Sequence, residues 1–212
     1  RDIGLPNSIN FESAKNIAKI SNDLGINTIN DFFNFENCKK NIQQNSCKLI
    51  NASGVFFHLE ELHSVIQGIN YSLKDDGCLI IQFMYAGSMI ESVTFDTVYH
   101  EHLCLYTLKS LTYLLELYDL YIFDSFLANI HSGSIIAKVG KKKHKNFKIT
   151  KRHIDTINYD KRYDLESVQR FANSSIKKKE NLLKLIKDIY IKDPQASVYG
   201  FGAPAKGNTL IN

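Results

Sequence analysis

The densest run of side chains able to do chemistry is Phe95-Asp96-Thr97-Val98-Tyr99-His100-Glu101-His102. Imidazoles titrate near neutral pH, so one of the two histidines can act as a general base, with Tyr99 and Glu101 positioning or polarising its substrate. The i, i+2 spacing of His100 and His102 also suits metal ligation from an extended segment, with Glu101 completing the site, although metal sites usually recruit ligands from several segments. A hydrogen-bonded loop packed under a sheet accounts for the same residues with no chemistry at all. His58 follows an apolar run ending at Ala52, which brings it to the same sheet edge, where a lone His more often serves structure. Glu12 follows Ile9-Asn10-Phe11, the position where nucleotide-binding α/β folds place an acid against ribose hydroxyls; it equally suits an acid stabilising the next helix. Gly200-Phe201-Gly202-Ala203-Pro204-Ala205 meets the relaxed dinucleotide fingerprint, with Lys206 at the helix start where a phosphate would sit. That fingerprint also requires a βαβ unit and a downstream acid.

These residues must be positioned by the elements around them. Short strands are expected at Ile9–Phe11, Ile26–Ile29, Lys48–Ala52, Cys78–Met84, Leu120–Asp124 and Gly133–Val139. Between them, Ser13–Leu24 repeats Ile17, Ile20 and Leu24 at helical spacing, Glu36–Gln44 is short and polar, and Leu59–Leu73 and Leu108–Tyr118 carry apolar stripes. Asp75-Asp76-Gly77 reads as a turn. The Cys78–Met84 run is almost wholly apolar, as a strand buried on both faces would be. Strands alternating with helices give an α/β chain with a doubly wound parallel sheet. A composition shift at Lys141-Lys142-Lys143-His144-Lys145 reads as a solvated linker and boundary. Beyond it Asp164 N-caps a long amphipathic helix whose Leu165, Val168, Phe171, Leu182, Leu183, Ile186 and Ile189 share a face. Ala196–Tyr199 reads as a strand opening a second α/β domain.

Composition narrows the classes of function. The 212 residues are 44% hydrophobic and carry a net charge of +4, without the clustered basic face of a duplex-binding module. No nucleic acid and no membrane are therefore expected as partners, and a cytoplasmic location is the simplest expectation. Cys38, Cys47, Cys78 and Cys104 form no CxxC pair and suit reduced, buried thiols.

Three segments in order, Val98-Tyr99-His100-Glu101-His102-Leu103, His131-Ser132-Gly133-Ser134-Ile135 and Tyr199–Leu210 with its GAPAKGNTL loop, make the chain resemble the S-adenosylmethionine-dependent sugar C-methyltransferases. The resemblance runs from about Ile9 to the last residue. It implies a class I, Rossmann-like methyltransferase domain, incomplete here: residues 1–140 as a partial S-adenosylmethionine-binding domain, and 141–212 as a linker plus the start of a C-terminal substrate-binding domain. The family's zinc-binding head and the glycine-rich loop before Glu12 are not in this chain, so no metal is expected. The implied reaction removes a proton next to a ketone of a nucleotide-linked keto-deoxy sugar, and the resulting enolate attacks the sulfonium methyl group of S-adenosyl-L-methionine. Carried over by motif, His102 is the base, Tyr99 and Glu101 arrange the sugar, and His58 adds a polar contact. Glu12 takes the cofactor ribose and Asp31 and Phe32 the adenine, with Ala52 and Ser53 beside the cofactor; His131, Lys206 and Asn208 face the substrate. The sequence departs from the family at Ser53-Gly54, where two asparagines are usual, and at Gln82, where an acid is common. The alternative is a non-catalytic nucleotide-sugar-binding α/β protein derived from that family; a dinucleotide oxidoreductase built on the Gly200 loop is weaker.

Overall fold

The computed structural model describes residues 7–144, 146–202 and 205–211. Two parallel strands of two residues each, β1 (Asn10–Phe11) and β2 (Thr28–Ile29), are linked by helix α1 (Lys15–Asp23). Helix α2 (Phe35–Asn41) follows, its first turn capped by the Asn34 side chain accepting from Asn37 N at 2.9 Å. The larger sheet takes the order β3-β4-β6-β5, from β3 (Cys47–Ser53), β4 (Leu73–Met84), β5 (Leu120–Ala128) and β6 (Ser134–Lys141). Helix α3 (Leu62–Ser72) precedes β4, while α4 (Ala86–Ser92) and α5 (Leu108–Glu116) follow it. Among the described residues no ladder joins the β1–β2 pair to the four-stranded sheet.

The α/β, Rossmann-like class stands, with a sheet that is mixed instead of parallel throughout. β3 and β4 run parallel, but β6 is antiparallel to both β4 and β5. The cause is local: only a few residues separate β5 from β6, too short a link for the crossover that parallel strands require. The register aligns Leu79 with Val139, Ile81 with Ala137 and Phe83 with Ile135, so the core residues of β4 and β6 share one face. Val65, Ile66 and Ile69 of α3 and Leu108, Leu111 and Leu115 of α5 complete that core. The expected turn at Asp75-Asp76-Gly77 lies inside β4: two steps along β3, from Cys47 to Leu49, match five along β4, from Leu73 to Cys78. The strand bulges there, and Lys48 Nζ binds the bulge through Asp76 Oδ2 at 2.5 Å.

Within the lysine run Lys142, Lys143 and His144 are exposed, with surface contacts only: Lys141 Nζ donates to Asn45 Oδ1 at 2.6 Å, Lys142 pairs with Glu116, and His144 pairs with Asp75; Lys145 lies outside the described residues. An unexpected helix, α6 (Lys151–Asp160), then packs against β5 and α5. Its buried residues are His153, Thr156 and Asp160, so its inward face is polar. Helix α7 (Leu165–Lys192) begins where expected, with Asp164 and Ser167 forming a capping box, but its apolar stripe is largely exposed. The helical stripe of α1 is exposed likewise, at Ile17, Ile20 and Leu24. Ala196–Tyr199 forms no strand, because no neighbouring strand pairs with it, and Tyr199 is 88% exposed. Ala203 and Pro204 lie outside the described residues; helix α8 (Ala205–Ile211) follows them. No helix among the described residues is long and apolar enough to cross a membrane.

Candidate active site

A one-turn 3-10 segment, Phe56–His58, follows β3, and another, Phe95–Thr97, follows α4. Backbone bonds stitch the two connections together: Leu103 N and Cys104 N both donate to Phe57 O, at 2.8 and 3.4 Å. The buried Tyr106 hydroxyl donates to Phe56 O at 3.1 Å. This is how His58 and His102, distant in sequence, come to lie with ring centroids 5.2 Å apart.

His102 Nδ1 lies 2.6 Å from Thr97 O. A carbonyl only accepts, so Nδ1 carries the hydrogen and Nε2 presents its lone pair. His58 is held the same way, its Nδ1 donating to Glu101 O at 2.6 Å. The Phe57 ring meets His102 edge-on at 5.0 Å, and the Tyr99 ring lies 4.1 Å from it on a tilt. Burial lowers the pKa of His102, as do the neighbouring His58 and the Lys206 charge, outweighing the upward pull of the Thr97 carbonyl. The imidazole is therefore neutral at pH 7 and able to take a proton. Burial and the nearby Glu101 carboxylate raise the Tyr99 pKa, so the phenol stays a donor.

The His100 side chain is exposed, its Nε2 3.9 Å from Glu101 Oε1 and its ring 6.0 Å from that of Tyr99. Among the described residues no group of three or more His, Cys, Asp or Glu is placed to hold a metal ion.

Lys206 and Asn208 belong to α8, which packs against the Phe95–Thr97 turn. His131 and Ser132, with φ of 49° and 65°, and Gly133, with φ of 119°, form three successive left-handed residues. They border a small cavity with Met84, Thr94 and Thr97. A Cβ on Gly133 would stand 2.4 Å from Ser88, so this turn requires glycine at its third position.

The residues expected at the cofactor lie on the smaller sheet and the β3 edge. Glu12 directly follows β1, and its Oε1 accepts from Ala14 N at 2.8 Å. Asp31 Oδ1 accepts from Phe32 N at 2.8 Å, and the Phe32 ring is 69% exposed. Ala52 packs against the core, and Ser53 donates to Asn51 Oδ1 at 3.1 Å. Gln82 is buried and donates to Ser134 Oγ at 2.8 Å, so its amide joins β4 to β6. Sequence reasoning missed Thr97 and Phe57: one acts through its backbone carbonyl, which no side-chain pattern reveals, and the other reads as an ordinary core residue.

A Rossmann-like α/β fold is the class that this arrangement defines. A structure from Haloferax volcanii, the Trm112 methyltransferase activator in complex with a protein described as a methyltransferase, superposes with a TM-score of 0.51 at 8% identity, covering 63% of this chain and 71% of that one. A Burkholderia thailandensis 1,6-didemethyltoxoflavin-N1-methyltransferase, solved with S-adenosylhomocysteine, matches at a TM-score of 0.47 and 13% identity over 63% of this chain and 60% of that chain. Residues 129–212 match the C-methyltransferase C-terminal domain. The C-methyltransferase NovU of Streptomyces niveus is 25% identical over 209 residues, 97% of this chain and 49% of that protein. The chain is therefore similar to C-methyltransferases, through the domain match at residues 129–212 and through this curated relative, of which it spans about half the length.

Proposed function

We propose that this chain supplies the base and part of the cofactor site of an S-adenosylmethionine-dependent C-methyltransferase acting on a nucleotide-linked keto-deoxy sugar. The observation that carries the proposal is the 2.6 Å bond from His102 Nδ1 to Thr97 O, which leaves a neutral Nε2 free among Tyr99, Glu101 and His58. In this mechanism Nε2 accepts the proton from the carbon beside the ketone. The Tyr99 hydroxyl, kept protonated, donates to the oxygen on which negative charge develops. His58 and the Glu101 side chain bind and orient the sugar. The buried Phe57 ring packs edge-on against the imidazole and helps fix its position.

The residues present fit the cofactor's polar and flat portions. Glu12 has one carboxylate oxygen on Ala14 N and a second to accept from ribose hydroxyls, while the Phe32 ring offers an open face to a purine. When bound, S-adenosylmethionine supplies an electrophilic methyl group. Lys206 and Asn208 on α8, with His131 on the turn before β6, are assigned to the sugar and its phosphates.

The test is His102→Asn in the full-length protein, measured as methyl transfer and as nucleotide-sugar binding. Asn keeps shape and a hydrogen bond but loses proton affinity, so turnover falls by roughly 10²–10⁴ while binding persists. Transfer within about threefold of wild type overturns the assignment of the base.

A further inference from the structure

Helix α4 ends on a residue that the backbone geometry disfavours. Val93 caps it with φ of 51° and ψ of 49°, and among the described non-glycine residues with positive φ it alone is β-branched. Helices that end this way usually place Gly or Asn there, because the left-handed region crowds a branched Cβ. The conformation has a consequence further along the chain. It lets Thr94 N reach back to Met89 O at 3.1 Å and turns the backbone into Phe95–Thr97. Thr97 O, four residues after Val93, receives His102 Nδ1. The strained residue therefore stands at the entry to the turn that fixes the tautomer of His102.

Such strain persists only where the surroundings over-determine it, and it gathers at functional sites. On one side apolar packing does not supply the restraint, since Val93 borders a cavity of about 340 Å³ together with Phe171 and Ser174 of α7. Polar bonds supply it instead, from the α6–α7 segment. Glu91 accepts from the Tyr159 hydroxyl at 2.7 Å and from Arg162 Nη2 at 2.9 Å. Lys178 Nζ donates to Ser92 O at 3.2 Å and to Val93 O at 3.0 Å, carbonyls that the end of a helix leaves without intrahelical partners. The helix dipole favours a cation at that end as well.

We propose that Lys178 is a positioning residue for His102: its grip on the Ser92 and Val93 carbonyls holds Val93 left-handed, and Val93 in turn aims Thr97 O at the imidazole. The inference rests on the reading of His102 as the base. Lys178 lies within residues 129–212, the stretch that matches the C-methyltransferase C-terminal domain, and His102 lies before it. The base is thus set by a bond that crosses from one part of the chain to the other.

Lys178→Met in the full-length protein tests this, read by the nitrogen resonances of the His102 imidazole and by methyl transfer. With the donor gone, Val93 relaxes and the Thr97 bond loosens. The Nδ1 and Nε2 signals, well separated in wild type, then draw together as both tautomers are populated. Turnover falls about tenfold, the effect of losing a bond from a charged donor, while KM changes by less than about twofold. Lys178→Arg, which keeps the charge and the donors, leaves both readouts near wild type. Val93→Asn supplies a residue that adopts the left-handed region readily, so in that background Lys178→Met lowers turnover by less than about twofold and the two signals stay apart. Signals that stay apart in Lys178→Met alone overturn the positioning role, whatever the turnover. A loss as large in the Val93→Asn background as in wild type overturns the route through Val93. Signals that draw together while turnover holds within about twofold confirm that Lys178 positions the imidazole and overturn His102 as the base.

Discussion

Asp160, the last residue of α6, is buried and accepts three hydrogen bonds: from the Tyr85 hydroxyl at 2.8 Å, Leu108 N at 3.0 Å and Lys109 N at 2.9 Å. The two amides open α5, so one carboxylate caps that helix from outside and fastens α6 to it. Asp160→Ala strands a buried hydroxyl and two amides. Bonds to charged acceptors contribute about 1.5–3 kcal/mol each, and because the three share one group the loss is about 3–5 kcal/mol. Asp160→Asn retains the Oδ1 bonds and turns an NH2 towards Lys109 N, at a cost of about 1.5–3 kcal/mol. For a chain of this size each kcal/mol lowers Tm by about 2–4 °C, so Asp160→Ala falls by about 10 °C and Asp160→Asn by about half of that. The chain has 11 Tyr and no Trp, so thermal unfolding followed by near-UV circular dichroism of tyrosine reads this directly. Tyr85→Phe alone costs about 1 kcal/mol, and adding it to Asp160→Ala costs almost nothing further, because both remove the same bond. An Asp160→Ala variant melting within about 2 °C of wild type refutes the capping argument.

Three other outcomes follow from the geometry. The base form of His102 is the neutral one and its pKa is depressed, so turnover rises with pH through a pKa below the ordinary 6.5 and then levels. Lys206→Met removes one depressing charge and moves that limb to higher pH; a pH–rate profile of each protein checks it. The buried Asp124 carboxyl is held well below the usual carboxylate range by Arg152, and also by Thr150 and Lys138. Its stabilisation is present above the unfolded value of 3.8 and is lost as pH falls further, so Asp124→Asn costs about 2 kcal/mol in urea unfolding at pH 7 and progressively less below pH 3.8. Gly133→Ala, at φ of 119° and with its new Cβ 2.4 Å from Ser88, lowers stability by about 1–3 kcal/mol, measured by thermal melting.

Where burial is apolar and local, the fold could be read from the sequence. Leu79, Ile81 and Phe83 declare β4 by alternation within a continuous apolar run, and Asp164 declares the start of α7 by its cap. Helix α6 escaped because its inward residues are His153, Thr156 and Asp160, so an apolar period points to the wrong face. The antiparallel β5–β6 pair escaped because residues 129–133 carry no familiar two-residue turn signal, and a tight left-handed run at His131 and Ser132 makes the reversal instead. At the site, the segment around Tyr99 and His102 was legible by residue type. Its tautomer was not, because Thr97 O sets it through the backbone.

The β1–β2 pair has two residues per strand, and its inter-segment bonds include Asn10 N to Asn27 O at 2.9 Å and Glu12 N to Ile29 O at 3.0 Å. Glu12 and Asp31 stand directly on it. In amide hydrogen exchange such a pair opens at a free energy well below that of the β3–β6 sheet, where each interior strand is bonded on both sides. A ligand that engages Glu12 and Asp31 must hold this small sheet closed, and part of its intrinsic affinity goes into that closure. Its arrival therefore shows as slowed exchange at Asn10, Glu12 and Asp31, while the amides of β4 exchange at an unaltered rate.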